Sequence, residues 1–431
     1  MRHSKDLLRL RRSVAQSHYR TKAETHRVQY PHRLREYLGK QPRKFPHALM
    51  DFLMTQVLGW IASYLKSIGG RKHEFMDYGY STGETGIYPL LSSSPEQKEI
   101  RISLAADWGT GTAEANTIAE IMRRSQPDYT IHLGDTYYVG ETREVKQNFF
   151  EEVRWPFGKR GSFALNGNHE MYARGYGYFN DLLPELGTYD PEKGERTPQK
   201  ASFFCLENDY WRIIGLDTGY NSVGFPILEM IFQPNCKLPE EMERWLRDVV
   251  RLHDPSDRRG IILLSHHQYY SAFESGYPKP AEQLAELLGM ERPVLWFWGH
   301  EHRLALYGKY RTEKGISAYG RCIGHGGMPV EGIEKIPRKD AEGPRLVIYD
   351  KRQNPDLEGL GEKLGFNGFA NLIFTGARLS VEYKDIKDRR LIEEIWEVDL
   401  NHGMHGVSIQ LLEKSEGLAP VESVDLEEAI R

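Results

Sequence analysis

The chain has 431 residues, of which 39% are hydrophobic and 27% charged, with a formal net charge of −4. These totals are those of a globular protein and demand no nucleic-acid partner, and the length admits one large α/β core with an extension or two domains. Three cysteines, Cys205, Cys236 and Cys322, are odd in number and follow no metal-ligand spacing, which argues against a disulfide framework and against a cysteine-based site.

Residues 1–45 hold 13 Lys plus Arg against 3 Asp plus Glu. Such an arm either folds as a solvated strip against the acidic remainder or tethers the chain to an anionic partner, a nucleic acid or a membrane surface. Arg2, Lys5, Asp6 and Arg9 stand where a secretory signal needs its apolar run, so a cytoplasmic location is expected. Further on, Met50, Leu53, Met54, Val57, Leu58, Ile61, Tyr64 and Leu65 recur at three- and four-residue spacing, which predicts a helix. It is shorter than the roughly 20 residues that span a bilayer and contains Asp51, Gln56 and Ser63, so it is expected to dock on the body and not to cross a membrane. The stretch Asp77 to Glu99, rich in Gly, Ser, Thr and Pro, reads as a linker.

Strand-like and helix-like runs then alternate: Ile100–Ala106, Ala113–Arg124, Tyr129–Leu133, Glu144–Val153 and Phe163–Asn166. Ser202–Leu206 and Trp211–Leu216 flank a polar turn as a hairpin. Helices near Glu240–Leu252 and Ala281–Leu288 precede strands Gly260–Leu264 and Val294–Trp298. After His302 only strands are expected: Leu304–Tyr307, Ser317–Ile323, Leu346–Tyr349, Leu372–Phe374, Arg378–Tyr383 and Ile392–Val398, with an acidic, loose tail after Leu412. The pattern predicts an α/β fold, a sandwich of two packed mixed β-sheets flanked by helices, with a helical N-terminal extension. Its expected parts are a basic extension and linker over 1–95, the main domain over 96–412 and an acidic tail over 413–431.

Five segments end in metal-binding side chains: Asp107-Trp108-Gly109, Gly134-Asp135-Thr136-Tyr137-Tyr138, Gly167-Asn168-His169-Glu170, Ser265-His266-His267 and Gly299-His300-Glu301-His302. Each follows a strand-like run. Ligands at the carboxyl ends of neighbouring strands converge on one rim of a sheet, where open α/β sheets bind ligands, so an enzyme with a two-metal centre is expected. Each residue also has a plainer reading. Asp107 suits the N-cap of the helix at Ala113, and Tyr138 suits core packing. His300 and His302 alternate as if on one face of a strand, whereas the adjacent His266 and His267 cannot both face a metal from a regular strand.

In order and wording these segments resemble the calcineurin-like metallophosphoesterases, and with Gly109 in place of a histidine and Gly134-Asp135-x-x-Tyr138 they resemble the purple acid phosphatase branch. The resemblance spans roughly Glu99 to Gly327. It implies that Asp107, Asp135, Tyr138 and His302 hold one metal, and that Asn168, His266, His300 and the bridging Asp135 hold the other. A phenolate suits Fe(III), and imidazoles with an amide oxygen suit divalent Zn, Mn or Fe. The implied activity is hydrolysis of a phosphomonoester, a phosphorylated small molecule, by metal-bound hydroxide, with a phosphodiesterase or nuclease and a non-catalytic scaffold as alternatives. His169 is implied to be a non-ligand that contacts phosphoryl oxygens or protonates the leaving group. The general acid stays open among His169, His267 and Glu274. His325, in a glycine-rich stretch, reads as a turn histidine.

Overall fold

The computed structural model describes residues 70–79, 84–93, 96, 98–151, 154–223, 233–330, 343–355, 364–413, 415, 417–421 and 426–430. The basic arm and the expected helix between Met50 and Leu65 lie outside these residues. Among the described residues no helix is long and apolar enough to cross a membrane.

The strands in chain order are β1 (Ile87–Pro89), β2 (Glu99–Ala105), β3 (Tyr129–His132), β4 (Gly161–Ala164), β5 (Gly187–Asp190), β6 (Glu195–Pro198), β7 (Phe204–Glu207), β8 (Trp211–Gly215) and β9 (Gly260–Ser265). They continue as β10 (Val294–Trp298), β11 (Leu304–Tyr310), β12 (Ala318–Ile323), β13 (Leu346–Asp350), β14 (Gly368–Thr375), β15 (Arg378–Asp385), β16 (Arg390–Asp399), β17 (Gly403–Leu411) and β18 (Leu418–Pro420). One sheet runs β1-β7-β8-β9-β10-β12-β11-β13-β18 and the other β17-β16-β15-β14-β2-β3-β4-β5-β6.

Both sheets are mixed, and each has a parallel centre: β2-β3-β4 in one, β8-β9-β10-β12 in the other. Parallel neighbours need crossovers, and the amphipathic helices supply them. The helix Ala113–Arg124 is capped by Thr112, whose side chain accepts from the Ala115 amide, and buries Ile118, Ile121 and Met122 against the outer face of the second sheet. Asp107 is therefore not its cap. Helices Glu240–Asp248 and Lys279–Leu288 cover the first sheet through Met242, Trp245, Leu246, Leu284 and Leu288. Between the sheets lie Ile102, Leu104, Ile131 and Phe163 from one side and Ile213, Ile262, Leu264 and Phe297 from the other. Fully burying such side chains contributes about 1.5–3 kcal/mol each, which makes this interface the main apolar core.

Four expectations need correction. The tail is not loose throughout: β18 pairs with β13, and Leu418, Ala429 and Ile430 are buried in the inter-sheet core. Apolar burial outweighs the acidic composition there. Within the stretch read as a linker, β1 pairs with β7 and Tyr78 donates from its buried hydroxyl to the Phe203 carbonyl. The helix expected over Glu144–Val153 is present but starts at Thr142 and changes its winding, from a short α-helix, Thr142–Val145, to a π-helix, Lys146–Glu151. His300 and His302 lie in the turn between β10 and β11, not on a strand.

Candidate metal centre

The strands of the two parallel centres end at one rim. The chain leaves β2 into Asp107, β3 into Asp135, β4 into Asn168, β9 into His266 and His267, and β10 into His300 and His302. Asp107, Asp135 and His300 have φ of 56°, 72° and 66°. Three non-glycine residues in the left-handed region at three strand ends is a concentration of backbone strain of the kind found at functional sites. The turns pack so closely that a side chain at Gly134 would put its Cβ 2.9 Å from His266 Nδ1, and one at Gly167 would meet the Asp135 carboxylate.

Backbone contacts lock these ends together. The Asp107 amide donates to the Gly134 carbonyl at 3.1 Å, and the His300 amide donates to Asp107 Oδ2 at 2.9 Å, so Asp107 ties one sheet to the other. The His169 amide donates to Asp135 Oδ1 at 3.0 Å. The Glu170 carboxylate accepts from the amides of Asp135 (3.1 Å), Thr136 and Gly167 (2.8 Å). Burial, followed by the Asp135 charge, pushes the Glu170 carboxyl up to about 7.

The donor atoms fall into two groups that share Asp135. In one, the Tyr137 hydroxyl lies 2.8 Å from Asp107 Oδ1 and 3.1 Å from His302 Nε2, and His302 Nε2 lies 3.3 Å from Asp107 Oδ1. In the other, His266 Nε2 lies 3.2 Å from Asn168 Oδ1 and 3.3 Å from His300 Nδ1. Asp135 Oδ2 stands 3.2 Å from the Tyr137 hydroxyl and 3.2 Å from His266 Nε2. Asn168 Nδ2 donates to the Tyr172 hydroxyl at 3.0 Å, which turns Oδ1 inward.

The donor set fits cations. His266 Nδ1 lies 3.0 Å from the Leu133 carbonyl, a contact that requires the proton on Nδ1. The Nε2 lone pair then faces an amide oxygen and a carboxylate oxygen, and only a proton or a cation placed among them relieves the repulsion. Without a cation the proton serves. Burial disfavours the imidazolium, but Asp135 outweighs it and pushes His266 up to about 9. Burial likewise opposes ionisation of Asp135, but His266 and His169 outweigh it and hold the carboxyl well below the usual range. Carboxylates, imidazoles, an amide oxygen and a phenol are the nitrogen and oxygen donors taken by Zn, Mn and Fe.

His169 flanks the centre. Its Nδ1 lies 2.6 Å from the Tyr138 carbonyl, its Nε2 lies 3.8 Å from Asp135 Oδ2, and its ring packs on Tyr137. His267 has its Nδ1 3.1 Å from Thr218 Oγ1, and the same oxygen accepts from the His267 amide at 3.1 Å. Ligand atoms of His266, His267 and His300 all lie within 4.8 Å of one another, as do those of Asp107, Asp135 and His266. Because β9 ends at Ser265, both histidines after it escape strand alternation. Glu274 lies 3.7 Å from the Arg303 guanidinium. All three cysteines are buried, and none is in a disulfide.

Several residues at the site escaped the sequence reading. Thr218 follows β8, a strand end that carries none of the five segments. Glu170 was legible in hindsight, since a glutamate three residues beyond Gly167 is placed to accept from backbone amides at a helix start. The Gly134-Asp135-x-x-Tyr138 wording pointed to Tyr138, and the sequence reading gave no role to its neighbour Tyr137, whose hydroxyl lies beside Asp107, Asp135 and His302.

Residues 100–304 match the family model of the calcineurin-like phosphoesterases. The purple acid phosphatase PPD1 from yellow lupin (Lupinus luteus) seeds is similar in structure with a TM-score of 0.42 and 14% identity, over 70% of this chain and 53% of its own. This chain thus spans about half the length of the lupin protein. GAP50, the anchor in the inner membrane complex of Plasmodium, is similar with a TM-score of 0.43 and 13% identity, over 70% of this chain and 89% of its own. PhoD is similar with a TM-score of 0.45 and 13% identity, over 74% of this chain and 73% of its own. No curated protein sequence matches the chain.

Proposed function

We propose, from the match of residues 100–304 to the family model of the calcineurin-like phosphoesterases, that the protein is a binuclear metal-dependent phosphoesterase that hydrolyses a phosphomonoester. The observation that supports this most is Asp135 Oδ2, 3.2 Å from both the Tyr137 hydroxyl and His266 Nε2, which makes it the shared atom of two donor groups. In this reading Asp107, His302 and a phenol of the Tyr137-Tyr138 pair hold one ion. Asn168, His266 and His300 hold the other, and Asp135 bridges. The phenol and carboxylates suit iron at the first position, and the imidazoles and amide suit Zn, Mn or Fe at the second. When bound, two such ions neutralise phosphoryl oxygens and make an activated water available near neutral pH.

The chain's own residues supply orientation and protons. With Nδ1 committed to the Tyr138 carbonyl, His169 presents Nε2 to the centre, where it contacts a phosphoryl oxygen or returns a proton to the leaving oxygen. His267, held by Thr218, is the second candidate for that proton. The choice of a monoester follows Gly109 and the Gly134-Asp135-x-x-Tyr138 wording.

The test is an elemental analysis of purified protein, paired with turnover of a generic aryl phosphomonoester and its diester. Two metals per chain and faster monoester turnover are expected. Two bound metals without turnover of either ester would sink the enzymatic reading, and a diester preference would replace the monoester with the diester.

A further inference from the structure

We infer that the buried pair Arg321 and Glu394 is a pin between the two sheets that sets where the turn carrying His300 and His302 stands against Asp107, an inference that rests on the binuclear reading above. On β12 and β16 strand alternation turns Tyr319, Ile323, Ile392 and Trp396 into the inter-sheet core, and Arg321 and Glu394 take the same faces. They are 1% and 0% exposed. A buried charge pair adds little net stability over well-packed apolar side chains of similar volume, so its presence among these residues points to placement and not to adhesion.

The pin reaches the site through a bulge. Arg321 Nε and Nη2 donate to Glu394 Oε1 and Oε2 at 2.8 Å and 2.7 Å, and Glu394 also accepts from the Tyr383 hydroxyl at 2.7 Å and from Trp396 Nε1 at 3.0 Å. Arg321 Nη1 donates to the Tyr307 carbonyl of β11 at 2.6 Å. β11 pairs with β12 from Leu304 to Leu306 and resumes, shifted, at Lys309, while its pairing with β13 shifts between Leu306 and Tyr307. Tyr307 thus lies in a β-bulge, where the ladder with β12 is interrupted, and the guanidinium takes its carbonyl. β11 begins just after His302, and the residue that faces His302 across the rim comes from the other sheet: Asp107 Oδ1 lies 3.3 Å from His302 Nε2, and Asp107 Oδ2 accepts the His300 amide at 2.9 Å. Arg321 therefore holds both sides of one relationship, the strand that leads away from His302 and, through Glu394, the sheet that carries Asp107.

The experiment uses the full chain and combines Arg321→Met with Glu394→Leu, so that no charge is left buried alone. Thermal melts, zinc titration of metal-free protein and a crystal structure of the metal-free variant are compared with wild type. The variant should fold, bind one zinc ion about 10–100-fold more weakly, as when a residue that supports a ligand from behind is removed, and bind the other as before. Its structure should show the β11 register moved at the bulge and His302 withdrawn from Asp107. Should the double variant fail to fold, Arg321→Lys, which keeps the charge but cannot hold both carboxylate oxygens and the Tyr307 carbonyl together, carries the same readouts. A changed melting temperature with both zinc affinities and the separation of His302 from Asp107 unchanged would make the pair structural only and overturn the inference, as would equal weakening of both ions. Wild type that takes up fewer than two zinc ions removes the binuclear reading instead, and the position of His302 in the variant's structure then decides the role of the pair alone.

Discussion

Glu170 Oε2 accepts the backbone amide of Asp135 at 3.1 Å, so a carboxylate beside Asn168 on one loop holds the backbone of the proposed bridging residue on another. The same side chain also receives the amides of Thr136 and Gly167. It touches none of the proposed ligand atoms, yet it sets the distance between two of them. Glu170→Ala strands three buried N–H donors, each of which costs about 1–3 kcal/mol when left unsatisfied. A lowered melting temperature together with reduced metal content is expected, with partial recovery in Glu170→Gln. Unchanged metal occupancy in a stable Glu170→Ala protein would show that the loops hold their spacing without it.

Asp135→Asn should cost more activity than His169→Ala. The first weakens the side chain shared by both donor groups, and metal content should fall with it. The second removes a ring whose Nε2 lies 3.8 Å from Asp135 Oδ2. Metal content should stay while turnover drops by something like the 10²–10⁴-fold typical of general acid–base catalysis. Loss of metal in His169→Ala would make it a ligand.

In the metal-free protein His266 has its pKa raised from 6.5 to about 9, with burial opposing and Asp135 driving the shift. A raised folded value means that the native state binds the proton more tightly than the unfolded chain. The stabilisation is therefore fully present below about pH 6.5 and is lost as pH rises through about 9. Thermal melts of metal-free protein should show a decline over this window that His266→Gln flattens. Metal uptake displaces the same proton, so affinity should rise with pH across that window. An equal slope in wild type and His266→Gln would mean that other groups set it.

The strand ends that carry the proposed ligands were legible because each couples an apolar run, read through periodicity, to a short polar punctuation that no core needs. Asp107, Asp135, Asn168, His266, His300 and His302 share one rim for that reason. What escaped depends on local backbone geometry. The strand period suggested one face for His300 and His302, but His300 has φ of 66° and sits in a turn. The Gly134-Asp135-x-x-Tyr138 wording singled out Tyr138, and the contact of the Tyr137 hydroxyl with Asp107 comes from packing that no spacing encodes. β17 was missed because its buried positions, Met404, Gly406 and Ile409, alternate with His405, Val407 and Ser408 in a run too glycine-rich and polar to read as a strand. In the tail, three apolar residues, Leu418, Ala429 and Ile430, outweighed the acidic composition.

The N-terminal boundary of the working enzyme should fall between residue 45 and Lys72. Every proposed ligand lies between Asp107 and His302, so deletion of residues 1–45 should leave hydrolysis of a small ester nearly unchanged. The segment that begins at Arg71 differs, because it grips loops next to the centre. Lys72 Nζ donates to the Tyr220 carbonyl at 2.8 Å and stands 3.5 Å over its ring, while the Tyr220 hydroxyl donates to the His73 carbonyl at 2.7 Å. The His73 amide donates to the Arg174 carbonyl at 2.9 Å, just beyond the helix Asn168–Tyr172, and Tyr220 shares its turn with Thr218, the partner of His267. Deletion through Tyr78 should therefore lower both the melting temperature and turnover. The comparison is made with melts, metal analysis and small-ester kinetics on the two truncations, and with binding to oligonucleotides and anionic vesicles at low and moderate salt. Abolished turnover in a folded, metal-loaded 1–45 deletion would mean that the basic arm helps to build the active site, and full activity after deletion through Tyr78 would show that the grip on Tyr220 and Arg174 does not matter to it.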